Sequence, residues 1–240
     1  MALGASVRAV IAAWRALPAR QRLMLAGLAV LLVLVQVKQP YPATAPLHHL
    51  QTLALLLAAP FLLRRFPLSD AALACIVAFL VLHTVGGRYT YTNVPYDAVA
   101  SAITGHSVSE TFGFARNHYD RLVHFAYGAL AVLPVREALV HHSGIGRRTA
   151  LYIAVESVLA VSALYEIFEW LLTLTMEGSL ATAYNGQQGD LWDAQKDMAL
   201  AALGALLAAG ALALRRKRND GRDEGRLRLR ADPLHGPGRE

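Results

Sequence analysis

The stretch "RNHYDRLVHFAYGALAVLPV", residues 116–135, decides the fold. It loads Arg116, His118, Asp120, Arg121 and His124 onto the doorstep of an apolar run, and the solvent around that run decides what the charges are for. Of the 240 residues 55% are hydrophobic and only 17% charged, where a soluble domain carries roughly 25% charged residues. The mean hydropathy is +0.36. The chain reads as a polytopic membrane protein, and the opening run as one of its spans.

Crossing a hydrocarbon core takes about 17–25 apolar residues in a helix. Six stretches approach this: Leu23–Val37, His49–Leu63, Ala71–Val85, Leu122–Val140, Ala150–Thr175 and Met198–Leu214. Leu50–Leu63 is the weakest, short enough for a re-entrant or interfacial segment. The expectation is an all-α bundle of about six transmembrane helices, residues 23–214. A basic cytoplasmic segment, 1–22, precedes it, an outer loop at 86–119 interrupts it, and a basic, disordered cytoplasmic tail, 215–240, follows. Short cytoplasmic loops are rich in Lys and Arg, which places both termini inside. Of the 23 Lys and Arg, only Lys38, Arg88, Arg116, Arg121 and Lys196 then fall outside. Leu23–Val37 followed by "ATA" at 43–45 has the outline of a signal peptide, but the long preceding segment with Pro18 favours an uncleaved helix.

The net charge of +6 comes from clusters at span ends and in the tail, without a nucleic-acid motif, so it reads as anchoring to anionic lipid rather than nucleic-acid binding. The single cysteine, Cys75, lies in an apolar run and excludes a disulfide partner.

This topology delivers the ionisable residues to one membrane face. Asp120, His124 and Tyr127 share a helix face at i, i+4 and i+7; Asp190, Asp193 and Asp197 repeat that spacing; Glu166 and Glu169 sit a turn apart in "YEIFEW". A charge in hydrocarbon costs at least about 2.5–3.5 kcal/mol, so these groups are expected to face the bundle interior or a water-filled cavity. Asp190 also suits a helix N-cap with Asp193 completing a capping box, and Arg116, Arg121 and Lys196 suit structural ion pairs with Asp120, Glu166 or Glu169.

Other polar residues have plainer readings. Trp170 and Trp192 suit an interfacial aromatic belt, and His48, His49, His106 and His118 suit aqueous loops. Arg136 and Glu137 suit an inner ion pair, and Gly86–Gly87 a turn. Glu156, roughly 10 Å into its span, suits a bond to a neighbouring helix or a proton relay.

As chemistry, Asp120, His124, Glu166, Glu169, Asp193 and Asp197 are the candidate catalytic residues. Arg121, Arg116, Arg88 and Tyr127 are the candidate substrate-binding residues, the arginines as bidentate anion holders. Asp120, His124, Glu166, Asp193 and Asp197 also offer ligands for a divalent metal, although no metal motif such as HExxH is present.

"HTVGGRYTYTNVPY", "RNHYDRLVHFAYG", "YEIFEW" and "GDLWDAQKDM", in this order, resemble the YjdF-like family of bacterial inner-membrane proteins, domain of unknown function 2238. The resemblance covers roughly residues 25–212 and implies a multi-pass protein of the bacterial cytoplasmic membrane; it supplies no catalytic residue. More loosely, Asp120 to Phe125, the following glutamates and Asp193 to Gly204 are similar in layout to VanZ-like proteins, with Arg121 where Lys is frequent and Asp197 where Asn is expected. That layout implies cell-envelope chemistry. The favoured expectation is binding or modification of a lipid-linked or anionic envelope molecule, with the bilayer as partner. The alternatives are a cation- or proton-coupled transporter and an assembly protein whose acids and bases are interhelical glue. The sequence leaves open whether the chain is an enzyme.

Overall fold

The computed structural model describes residues 11–175, 178 and 184–231, with side chains as far as Arg215. The expectations for residues 1–10 and 232–240 lie outside this range. The elements are α1 Ala19–Leu34, α2 Ala45–Arg65, α3 Asp70–Arg88, α4 Tyr96–Thr104, α5 Val108–Phe112, α6 Tyr119–His142, α7 Arg147–Thr175 and α8 Asp193–Ala231. The architecture is the expected all-helical membrane bundle.

Among the described residues, five helices are long and apolar enough to cross a membrane: α2, α3, α6, α7 and α8 as far as Arg215. The weakest stretch by sequence is among them, because α2 begins at Ala45 and reaches 21 residues. Its Pro46 stands in the first turn, where a missing N–H costs no hydrogen bond. The first expected span, Leu23–Val37, is displaced toward the N-terminus: α1 is Ala19–Leu34, 16 residues, about 24 Å against the roughly 30 Å of a hydrocarbon core. Tighter turns continue it, with Gln36 N–H donating to the Val33 carbonyl and Val37 N–H to that of Leu34. Helical backbone also runs on past Leu214, where a disordered tail was expected, as far as Ala231; the Arg, Lys and Leu of that stretch are good helix formers.

Packing divides the bundle into two triplets. Leu25, Leu28 and Leu32 of α1, Leu56 and Leu63 of α2, and Leu73 and Leu80 of α3 make one core. Val132 of α6, Ala154 and Val158 of α7, and Ala201 and Ala205 of α8 make the other. The join is α3 against α6.

Within the second triplet, glycine sets the separation of α6 and α8. A Cβ on Gly128 would stand 1.9 Å from the Ala201 carbonyl oxygen, and one on Gly204 would stand 2.2 Å from that of Phe125. Backbone meets backbone here, as small residues permit between membrane helices. Asp120 and His124 are thereby brought against Asp193 and Asp197, one to two turns further along the same helices.

Two local expectations are corrected, and the outer loop gains helices of its own. Gly86 and Gly87 are not a turn but the last turn of α3, where a Cβ would stand 2.7 Å from the Tyr91 ring and 2.7 Å from His48 Cβ respectively. The close neighbours, invisible in sequence, are what exclude a side chain. Glu137 does not pair with Arg136, because adjacent residues on a helix diverge. Its carboxylate instead accepts from Ser69, from the backbone N–H and, at 2.6 Å, from the hydroxyl, at the start of α3. The long loop is not structureless: α4 and α5 lie in it, the latter opened by a capping box between Ser107 and Glu110.

Candidate functional site

The starts of α2, α6 and α8 and the ends of α3 and α7 meet at one end of the bundle. Arg116, just before α6, is the hub of that end. One guanidinium nitrogen lies 2.5 Å from Asp120 Oδ2, a turn along; the other lies 2.6 Å from Asp193 Oδ1 and 3.6 Å from Asp190 Oδ2. It also donates to the carbonyls of Gly186 and Gln187, at 3.2 and 3.0 Å, tying down the segment that leads into α8. Arg121 pairs with Asp190 and lies 3.9 Å from Asp193, while Lys196 reaches Asp190 at 2.6 Å.

Asp190 is therefore not the expected N-cap. The helix starts at Asp193, and the Asp190 carboxylate accepts instead from the Trp192 N–H at 3.0 Å, two residues on. Hydrogen bonds from Lys196 and from that backbone N–H hold its carboxyl down at about 2. His118 is not a solvated loop residue either. It stacks on Phe114 at 4.1 Å, and burial, then the charges of Arg121 and Arg116, hold it below its ordinary value. Neutral, its Nδ1 accepts from Arg121 at 3.2 Å.

Beside this saturated network lies a second group with no cation. His124 Nε2 is 3.8 Å from Glu166 Oε1, and Asp197 stands across from both. Glu166 and Asp197 are 9% and 3% exposed, and among the described residues Glu166 Oε1 and Asp197 Oδ1 have no hydrogen-bond partner. Asp197, His124, Glu169 and Asp120 line a cavity of about 190 Å³. Its apolar walls include Phe79, Val123, Tyr127 and Val161. Ser162, 2% exposed, adds another unpartnered oxygen to the lining.

Of the ten residues singled out, the structure gathers nine. Arg88 stands apart: it donates to the carbonyls of Val35 at 2.5 Å, Val37 at 3.0 Å and Lys38 at 3.4 Å, closing the turns after α1. Arg116 and Arg121 are gathered but already engaged by carboxylates, so neither is a free anion holder.

His48 and His49 are corrected most strongly. Expected in water, they are 0% and 5% exposed. Gln36 donates to His49 Nδ1 at 2.6 Å, and His49 Nε2–H donates to the Thr84 carbonyl at 3.2 Å. His83 Nε2–H donates to the His48 carbonyl at 2.9 Å, leaving Nδ1 to accept from the Tyr91 hydroxyl at 2.5 Å. Burial holds that hydroxyl well above its usual range, so it stays a donor. His48 stacks on Tyr184 with ring centroids 4.4 Å apart. Because they follow a Pro-rich linker, the two histidines look like loop residues; only the positions of Gln36 and Thr84 beside His49, and of Tyr184 against His48, reveal otherwise. Tyr91, Tyr184, Asn185 and Ser162 line the cavity without having been singled out. For Tyr91 a signal existed, the aromatic density of "RYTYTNVPY".

The family described as "Predicted membrane protein (DUF2238)" matches residues 20–218. The chain belongs to this family. It is 40% identical over 144 residues to the inner membrane protein YjdF of Escherichia coli (strain K12), an alignment covering 60% of this chain and 65% of the relative. The chain thus spans just under two thirds of that relative's length. No solved structure matches. With its five membrane-length helices, this member of the family is a multi-pass inner-membrane protein.

Proposed function

We propose that the acidic end faces the periplasm, and that the cavity binds and modifies the polar head of a lipid or lipid-linked envelope molecule, with His124 and the unpaired carboxylates placed at the reacting group. The observation that carries this reading is the character of the cavity's rim. Gln51 on α2 and Val161 on α7 both line the cavity while remaining exposed on the outer surface of their helices, in the gap between the triplets. An opening there faces acyl chains, so a ligand enters sideways from the bilayer with its head toward Asp197 and His124. The basic ends of the helices, with Arg64, Arg65, Arg147 and Arg148, then lie in the cytoplasm.

Arg116 and Arg121, neutralised by aspartates, support a head group bearing hydroxyls or amines rather than one held by its negative charge alone. Native mass spectrometry on delipidated protein tests the reading. A retained lipid of defined mass, lost when Ser162→Leu fills the cavity in a chain that still melts cooperatively, supports it. Equal retention by both proteins, or by neither, refutes it.

A second reading applies to the other half of the cluster. Arg116, Arg121 and Lys196 with Asp120, Asp190 and Asp193 form the interhelical glue of an assembly role, and they do so beside the cavity rather than in place of it. Transport finds less support, because Glu156 is exposed on α7 and is not among the cavity's lining residues.

A further inference from the structure

We propose that His124, Glu166 and Asp197 bind one divalent first-row cation of the zinc class; this builds on reading the cavity as a ligand site and names the ion held in its floor. The three side chains offer one imidazole nitrogen and two carboxylate oxygens, all within 4.8 Å of one another. Small side-chain rotations close such a set onto an ion at about 2.0–2.2 Å from each donor.

Charge decides between this triad and its neighbour. Asp120, Asp193 and Asp197 also converge within 4.8 Å, but Arg116 already sits between Asp120 and Asp193 at 2.5 and 2.6 Å, where a metal would have to displace it. Among the described residues, every Arg and Lys ion pair at this end of the bundle goes to Asp120, Asp190 or Asp193. Glu166 and Asp197 are left with no cationic Arg or Lys, and each holds a buried oxygen with no partner. Buried carboxylates in that state call for a proton or a metal, and the imidazole turned toward Glu166 makes the set a ligand sphere rather than a shared-proton pair.

Mixed imidazole and carboxylate donors favour Zn²⁺ over Mg²⁺ or Ca²⁺, which prefer oxygen throughout. Three protein ligands leave a coordination position, and because His124 and Asp197 also line the cavity, that position faces its interior. This is the arrangement of a zinc site that takes up a water or a ligand oxygen rather than one closed for stability alone.

The test uses the full chain, purified in detergent through a tag without histidine, stripped with chelator and titrated calorimetrically with Zn²⁺ and with Mg²⁺. One Zn²⁺ per chain is expected, with Mg²⁺ far weaker. His124→Gln, Glu166→Gln and Asp197→Asn should each weaken Zn²⁺ by roughly tenfold or more, and Glu156→Gln should leave it unchanged. X-ray absorption at the zinc edge of the wild type, which needs no variant to fold, should show a nitrogen and oxygen shell. A folded wild type that takes up no stoichiometric Zn²⁺, or one that holds it equally well in all three ligand variants, overturns the proposal. Lipid retained by a wild type that takes up no Zn²⁺ overturns the cation alone, whereas Zn²⁺ uptake with no retained lipid supports the cation and refutes the lipid reading.

Discussion

Replacing Gly128 with alanine should destabilise the protein although alanine is the better helix former. On propensity, Gly→Ala inside a helix gains up to about 1 kcal/mol. Against that, the new Cβ would lie 1.9 Å from the Ala201 carbonyl oxygen and 3.0 Å from its Cα, where a comfortable contact is about 3.5 Å. The obstacle is backbone on a neighbouring helix, so it cannot rotate away, and α6 and α8 must separate. Overpacking of this kind costs typically about 1–3 kcal/mol and occasionally more, which leaves a net loss of about 1–2 kcal/mol. Separation also stretches the 2.6 Å bridge from Arg116 to Asp193, adding to the loss.

Thermal unfolding in detergent, followed through a thiol-reactive dye, suits the chain, whose single cysteine, Cys75, lies partly buried in α3. At about 2–4 °C per kcal/mol, Gly128→Ala should melt several degrees below wild type, and Gly204→Ala similarly. Gly27→Ala and Gly210→Ala, with nothing within 4 Å of the added carbon, should melt at or slightly above it. Ala201→Gly should not rescue Gly128→Ala, because the carbonyl remains. If Gly128→Ala matches Gly27→Ala, the close crossing of α6 and α8 is wrong.

Arg116→Met should cost about 3 kcal/mol or more in the same melts, since it leaves Asp120 and Asp193 buried without a cation, and Arg116→Lys should not restore it, because one ammonium cannot span both carboxylates. Asp190, depressed from 3.8 to about 2, contributes stability that is complete above its unfolded pKa and lost as pH falls through the folded one. Asp190→Asn should therefore flatten the fall in melting temperature between pH 4 and 2 relative to wild type, and an unchanged acid limb would count against the Lys196 and Arg121 pairing. Tyr91→Phe should cost about 1–3 kcal/mol by leaving the buried Nδ1 of His83 without its donor; a wild-type melt would show that this hydrogen bond is not formed.

The spans and the acidic end were legible because a bilayer makes charge conspicuous. Asp120, Glu166, Asp193 and Asp197 stand out against runs of Leu and Ala, and helix periodicity alone puts each on an inward face. What pairs with what was not legible. Nothing in the sequence distinguishes Arg116, bound to two aspartates, from Arg88, which closes the turns after α1. His48 and His49 were misread for the same reason, since their burial depends on residues distant in sequence: Gln36 and Thr84, which bond His49, and Tyr184, on which His48 stacks. Glycine was ambiguous as well: Gly86 and Gly87 read as a turn and Gly128 and Gly204 carried no signal, yet at all four a neighbouring residue occupies the space a side chain would need.

The Arg116 hub also sets an order of completion during synthesis. Its partner Asp193 lies 77 residues downstream, and Asp190 lies 69 beyond Arg121. Membrane helices emerge in sequence, so both guanidinium groups are in place before the start of α8 exists. A nascent or truncated chain lacking α8 has no Asp193, so only Asp120 and Asp190 remain to balance the two arginines. Arrival of α8 closes the network and seats Asp197 beside His124 and Glu166, so the helix that completes the acid cluster is also the one that neutralises Arg116.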